Sequence, residues 1–100
     1  MNQIQLKLND QQRGAFTIED GDERQAEMEI AIADGNLIVY HTEVSDKLKG
    51  KGIASKLLAE MVQYARDHRL KVVPLCPYVS AQFNRHQAQY EDVWNKSWHG

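Results

Sequence analysis

The spacing of apolar residues changes at two glycines, Gly50 and Gly52, near the middle of this 100-residue chain. Before the glycines, apolar and polar residues alternate, which is the period of a β-strand with one buried face. The alternating runs cover residues 4–8, 14–20 and 25–33, and a fourth strand-like run covers residues 36–44. After the glycines, apolar residues recur about every four positions, and this predicts an amphipathic helix over about residues 51–69.

The order of these segments restricts the fold further. The turn sequence Asp34–Gly35 joins the third and fourth runs as in a hairpin, and we expect the first four strands to pair antiparallel. Residues 71–75 are predicted to form a fifth strand, which the chain reaches through the helix, and such a crossover makes it parallel to the fourth. The sequence therefore predicts an α+β (mixed α/β) fold: antiparallel strands 1–4, a helix, a parallel strand 5 and a C-terminal helix.

The C-terminal helix is expected over residues 80–94 in a broken form. Its anchors in the core are expected to be Phe83, Tyr90, Val93 and Trp94. The last few residues are expected to be frayed. Residues 37–40 are apolar at every position, which predicts that both faces of the fourth strand are covered there.

Length and composition limit the class of protein. The chain contains 42% hydrophobic and 26% charged residues, as globular proteins do, and its length suits one domain over residues 1–100. The first ten residues lack the features of a signal peptide, and no apolar stretch approaches the roughly 20 residues that cross a bilayer. The single cysteine, Cys76, excludes an internal disulfide. We therefore expect a cytoplasmic protein without a membrane partner.

Charge is distributed unevenly along the chain. Residues 1–46 contain ten acidic and three basic residues, whereas residues 47–100 contain four and nine. Several of the basic residues flank the glycines: Lys47, Lys49, Lys51 and Lys56. This pattern predicts either an ordinary solvated surface or an anion site at the glycines, with an acidic surface elsewhere that suits a cationic substrate. A basic patch this local favours a small phosphorylated ligand over a nucleic acid.

A glycine loop that leads into a helix can bind phosphate. The first turn of a helix leaves backbone N–H groups unpaired, and glycine lets a ligand approach them closely. The amides around Lys49 to Ala54 are therefore candidates to bind a pyrophosphate. The loop is not a P-loop, and it lacks the third glycine of GxGxxG because Ser55 stands there. A plain turn that needs glycine only for its geometry is the alternative.

The sequence LKGKGIASKLL resembles the acyl-CoA-binding signature [Q/R]xxGx[G/A] of the GNAT N-acetyltransferase superfamily. In this register Lys49 takes the Gln/Arg place, Gly52 the glycine and Ala54 the Gly/Ala. Lysine departs from the usual pattern, although it keeps the positive charge. Residues 25–95 also resemble a branch of short, single-domain GNAT-like proteins that carry a cysteine after the fifth strand.

This resemblance implies a set of binding residues and a strand arrangement. Acetyl-CoA is the implied co-substrate, and the implied binding residues are Val44, Lys49, Gly50, Lys51, Gly52, Ile53, Ala54 and Ser55. In the family the fourth and fifth strands separate, and pantetheine enters between them. Pro74 independently favours such a separation, because proline cannot donate to a strand ladder, and an edge strand is the alternative explanation.

Three residues are candidates for the chemistry of acetyl transfer to an amine. Cys76 follows the fifth strand and could accept acetyl as a nucleophile; its alternative role is that of a small buried hydrophobe. His41 and Glu43 are candidate bases on one face of the fourth strand, about 6.7 Å apart along it. A packed histidine and a solvated glutamate are the alternatives. No metal site is expected, because the other histidines lack partners at ligand spacing.

The resemblance thus predicts an acetyl-CoA-binding N-acetyltransferase whose amine acceptor, small or protein, is unidentified. Acetyl could pass directly or through Cys76. Two alternatives are a CoA-binding or CoA-sensing module without turnover and a small protein-interaction domain. The chain lacks the long insertions that usually build an acceptor pocket, and this favours a macromolecular amine or weak turnover.

Overall fold

The computed structural model describes residues 3–98. Positions 99 and 100, where His99 and part of the expected fraying fall, lie outside this range. Within it, five strands form one sheet in the order β1-β2-β3-β4-β5. The strands are β1 (Gln5–Leu8), β2 (Arg13–Asp20), β3 (Glu23–Ala33), β4 (Asn36–Val44) and β5 (Lys71–Pro74). The helices are α1 (Ile53–Asp67), α2 (Pro77–Arg85) and α3 (Gln87–Tyr90), and a 3₁₀ turn (Asp46–Leu48) follows β4.

The predicted topology is confirmed. Each pair among β1 to β4 is antiparallel, and β5 is parallel to β4. The change from a period of two to a period near four therefore marks the point at which the chain leaves the sheet and crosses over through α1. Helix α1 begins two residues later and ends two residues earlier than the sequence predicts.

The C-terminal region differs from the single broken helix predicted over residues 80–94. Helix α2 begins earlier, because Pro77 suits the first turn of a helix, where its missing N–H is not needed. After α3 the chain extends along β5, where the Val72 N–H donates to the Val93 carbonyl at 2.6 Å. This segment covers the outer edge of β5. Of the four predicted anchors three are buried, and Trp94 is half-buried.

Helices α1 and α2 pack on one face of the sheet. The core there contains alternate strand residues such as Met28, Val39 and Val72 together with Leu57 of α1 and Phe83 of α2. The opposite face is called here the carboxylate face. By the pairing of the strands, it carries Ala15, Thr17, Glu27, Glu29, His41 and Glu43.

Residues 37–39 are buried, but the cover predicted for both faces over residues 37–40 does not extend to Tyr40, which is 38% exposed. The strand is irregular at this point. Ile30 pairs with Val39 and Glu29 pairs with His41, so Tyr40 is an extra residue in β4 without a partner in β3. Such a β-bulge changes the direction of the strand, and its apolar residue does not signal burial.

The ion pair between Arg66 and Asp92 connects α1 to the segment after α3. Nε of Arg66 lies 3.0 Å from Oδ2 of Asp92, and Nη2 lies 3.1 Å from Oδ1. These hydrogen bonds lower the pKa of Asp92 below its ordinary value. Because the folded-state pKa is below the unfolded value, the stabilisation is present above the unfolded pKa, about 3.9, and is lost as pH falls through the folded pKa.

We therefore expect Asp92→Asn to lower the free energy of unfolding at pH 7 and to change it much less near pH 2. Urea denaturation at the two pH values measures the difference. Asp10→Asn is the matched control, because Asp10 has no ion-pair partner among residues 3–98. An equal loss for Asp92→Asn at both pH values would contradict the role of its charge.

Thr17 is fully buried in β2, and its hydroxyl oxygen has no hydrogen-bond partner within residues 3–98. A buried polar group without a partner costs about 1–3 kcal/mol of stability. We expect Thr17→Val, which keeps the shape, to raise the free energy of unfolding by about 1 kcal/mol. Thr42→Val is the control that should destabilise, because the Thr42 hydroxyl lies 3.3 Å from Sγ of Cys76. Urea denaturation of both variants tests this, and a destabilised Thr17→Val would contradict it.

Candidate functional site

Two glycines set the conformation of the loop between β4 and α1. Gly50 has φ of 80°, and Gly52, the N-cap residue of α1, has φ of 69°. A Cβ atom at either position would meet no protein atom within 4 Å. Glycine is therefore required at both positions because the backbone is left-handed there, and not because a neighbouring atom would clash with a larger side chain.

Backbone N–H groups in the first turn of α1 are unpaired. Within residues 3–98, the N–H groups of Ile53, Ala54 and Ser55 have no hydrogen-bond acceptor. The first helical bond is donated by the Lys56 N–H to the Gly52 carbonyl at 3.2 Å. No side chain caps the helix. Three donors at the positive end of the helix dipole therefore point out of the fold.

Of the backbone N–H groups predicted to bind a pyrophosphate, those from Lys49 to Ala54, two already have hydrogen-bond acceptors within the protein. The Lys49 N–H donates to the Asp46 carbonyl at 3.4 Å, and the Lys51 N–H donates to the Leu48 carbonyl at 3.3 Å. These turn hydrogen bonds remove two of the predicted donors from the set that a ligand could use. The sequence does not reveal this loss, because it depends on the 3₁₀ turn that precedes the loop.

A groove of about 280 Å³ opens at this end of α1. Its lining is Val44, Leu48, Lys49, Gly50, Gly52, Ile53, Ala54, Ser55 and Tyr78. Of the predicted binding residues, Lys51 is absent from the lining. Tyr78 was not predicted; its hydroxyl lies 3.5 Å from Oγ of Ser55. Its place in the first turn of α2, two residues after Cys76, is the only sequence signal for it.

The lysines near the groove are partly neutralised. Nζ of Lys49 lies 2.8 Å from Oδ1 of Asp46, and Nζ of Lys47 lies 3.3 Å from Oε2 of Glu23. The Asp46 carboxylate raises the pKa of Lys49, and Lys49 lowers the pKa of Asp46, so both are charged at neutral pH. Lys51 has no carboxylate partner among residues 3–98. The positive field at the loop is therefore smaller than the four lysines suggest.

Strands β4 and β5 separate beside this groove. Their last paired residues are Val39 and Pro74, whereas β4 continues to Val44. The Cys76 N–H donates to the Val39 carbonyl at 2.8 Å and closes the paired region. The separation predicted near Pro74 is confirmed. A gap between the two strands therefore begins at the bulge in β4.

Cys76 lies at this gap and is buried, with 2% of its surface exposed. It precedes the first residue of α2, and its Sγ lies 3.3 Å from the Thr42 hydroxyl. His41 and Glu43 share the carboxylate face, where Nε2 of His41 lies 2.9 Å from Oε1 of Glu43. Because neighbouring residues of a strand project to opposite faces, Thr42 and Cys76 lie on the helix side. The structure therefore brings His41 to Glu43 and separates it from Cys76.

Other classes of site find no support among residues 3–98. In that range no three His, Cys, Asp or Glu side chains are arranged to hold a metal ion. No helix in the same range has the length and apolar character needed to span a membrane.

Comparison with known proteins identifies the family. The model of the family described as GCN5-related N-acetyl-transferase matches residues 15–93. No curated protein matches the chain. A similar solved structure is the solution NMR structure of a GCN5-like candidate N-acetyltransferase from Staphylococcus aureus. It has 28% sequence identity and a TM-score of 0.63, and the match covers 99% of this chain and 95% of that one. The predicted superfamily is confirmed: the chain belongs to the GCN5-related N-acetyltransferases.

Proposed function

We propose that this protein binds acetyl-CoA at the N-terminus of α1 and transfers the acetyl group to an amine. One observation carries the proposal. The unpaired N–H groups of Ile53, Ala54 and Ser55 lie on a groove beside the gap between β4 and β5. Unpaired donors at a helix N-terminus suit a pyrophosphate, and a gap between strands suits an extended chain.

The residues of the groove fit this ligand. The three N–H groups and the helix dipole provide donors and positive charge for phosphate oxygens. Lys51, which is exposed next to the loop, adds a cation. Val44, Leu48 and Ile53 give the groove an apolar wall that suits an uncharged pantetheine chain. When bound, acetyl-CoA supplies the acetyl group as an activated thioester.

His41 is proposed to take the proton from the acceptor amine. An alkylamine has a pKa near 10.4, so removing its proton at pH 7 costs about 4.6 kcal/mol. When Nε2–H of His41 donates to Glu43, the lone pair of Nδ1 is free to accept a proton. The neutral amine then forms the new C–N bond as the thioester C–S bond breaks. The sulfur leaves with the electron pair and takes up one proton.

Direct transfer fits the position of Cys76 better than a covalent route. The thiol is buried and lies against Thr42, so it would have to leave this contact before it met a thioester. It also lies on the other side of β4 from the candidate base. Cys76 is therefore proposed to line the gap. The position of His41 outside the groove favours a second candidate function, a CoA-binding module without turnover.

Substitution of Gly52 tests the binding site. Alanine at φ of 69° is strained by roughly 1–2 kcal/mol, and the strain turns the first amides of α1 away from a ligand. We expect CoA to raise the melting temperature of the wild type, whereas ATP and NAD leave it unchanged. For Gly52→Ala we expect the increase with CoA to be lost.

The matched control is Gly35→Ala in the β3–β4 hairpin. Its φ is 79°, and a Cβ atom there also meets no atom within 4 Å, so the backbone strain is comparable. This variant should lose similar stability and keep the increase with CoA. If neither the wild type nor this control responded to CoA, the proposed binding site would be wrong.

Substitution of His41 tests the chemistry. With butylamine as acceptor, we expect His41→Gln to lower kcat by about 10²–10⁴-fold, which is the usual contribution of a general base. The increase in melting temperature with CoA should be unchanged, because His41 does not line the groove. Cys76→Ala is the control and should retain turnover, with no acetyl adduct on the wild-type cysteine by mass spectrometry. Turnover abolished in Cys76→Ala with full CoA binding would instead support the covalent route.

A further inference from the structure

Two large apolar side chains are exposed at the gap between β4 and β5. Tyr40 is 38% exposed and Leu75 is 47% exposed, and these two are the exposed large hydrophobic residues among residues 3–98. Exposed apolar residues that are scattered singly over a surface are ordinary, whereas neighbouring ones mark a place where an apolar group binds. The relative position of Tyr40 and Leu75 is therefore informative.

One hydrogen bond holds these two residues side by side. Tyr40 directly follows Val39, Leu75 directly precedes Cys76, and the Cys76 N–H donates to the Val39 carbonyl at 2.8 Å. The same bond closes the paired part of β4 and β5. Tyr40 and Leu75, called here the apolar pair, therefore stand on either side of the closed end of the gap.

A strip of buried apolar side chains leads to the apolar pair. Ile38 of β4 and Val73 of β5 pair in register, two residues before Tyr40 and Leu75. Both are buried, but neither belongs to the core under the helices. Because neighbouring residues of a strand project to opposite faces, Ile38 and Val73 lie on the carboxylate face. The apolar pair extends this strip to the closed end of the gap.

The proposed ligand ends at the apolar pair. Its pyrophosphate binds at α1, which the chain reaches from the far end of β4, and its pantetheine chain runs from there into the gap. A thioester at the closed end of the gap brings its acyl group to Tyr40 and Leu75. One methyl group covers much less apolar surface than a tyrosine and a leucine side chain present together. The apolar pair therefore suits an acyl group longer than acetyl.

We propose that the protein prefers donors with a straight acyl chain, from butanoyl to hexanoyl, and that Tyr40 and Leu75 set this preference. The inference rests on the proposed function, and the bonds change as they do for acetyl. The amine nitrogen bonds to the acyl carbonyl carbon and its proton passes to Nδ1 of His41. The C–S bond breaks, and the sulfur leaves with the electron pair and takes up one proton. A chain longer than hexanoyl passes beyond the apolar pair and gains no further contact.

Inert thioether analogues test this preference without turnover. S-ethyl-CoA and S-hexyl-CoA match acetyl and hexanoyl in chain length and cannot transfer an acyl group. Full burial of one methylene strengthens binding by about fourfold, and contact along one side of the chain gives about twofold. Since the analogues differ by four methylenes, we expect S-hexyl-CoA to bind about tenfold or more tightly than S-ethyl-CoA by isothermal titration calorimetry.

Substitution of the apolar pair tests the assigned residues. Tyr40→Ser and Leu75→Ser should each reduce the ratio of the two affinities by about threefold, with the loss falling on S-hexyl-CoA. Tyr40→Phe and Leu75→Met are the matched controls, because they keep the apolar surface, and they should keep the ratio. Both side chains are exposed, so we expect all four variants to fold, which circular dichroism checks.

The outcomes separate this inference from the proposed function. Equal affinity for the two analogues would overturn the donor preference and leave the CoA site intact. A preference for S-hexyl-CoA that survives in both serine variants would also overturn it, because the chain would then lie elsewhere. If neither analogue bound, the proposed function would be wrong as well.

Sedimentation velocity tests a second copy of the chain as the occupant of the apolar pair. We expect the wild type and Leu75→Ser to sediment alike. A wild-type dimer that dissociates in Leu75→Ser would assign the apolar pair to a subunit contact and overturn its role in donor binding.

Discussion

The short pairing of β4 with β5 determines the arrangement of this molecule. The two strands share four residue pairs, and then β4 continues alone while the chain after β5 turns into α2. The Cys76 N–H terminates the paired region on the Val39 carbonyl. A longer ladder would close the gap and would bring the Pro74 nitrogen, which has no hydrogen to donate, into a fully paired strand.

The free part of β4 has a different role on each side. On the helix side, its end leads through Gly50 and Gly52 to the unpaired donors of α1. On the other side, after the bulge, it presents His41 and Glu43. In the proposed reaction the thioester approaches from the first side and the amine from the second. The protein can thus supply both sites without the long insertions that usually form an acceptor pocket.

Local sequence patterns predicted the features that depend on local geometry. Alternation of apolar residues indicated β1 to β3, a run of consecutive apolar residues indicated β4, and the glycines indicated the loop that leads into α1. Tyr40 was misread, since a bulge leaves no mark in the apolar pattern. The neutralisation of Lys49 by Asp46 and the contact of Cys76 with Thr42 were also missed. The second contact joins residues 34 positions apart, which only the folded chain brings together.

The proposed CoA site depends most on the amides at the start of α1. Backbone NMR during a titration with CoA tests them directly, because each N–H reports its own hydrogen bond. We expect the Ile53, Ala54 and Ser55 signals to move more than those of Lys49 and Lys51, whose N–H groups already have acceptors. Binding of CoA that leaves these three signals in place would contradict the account.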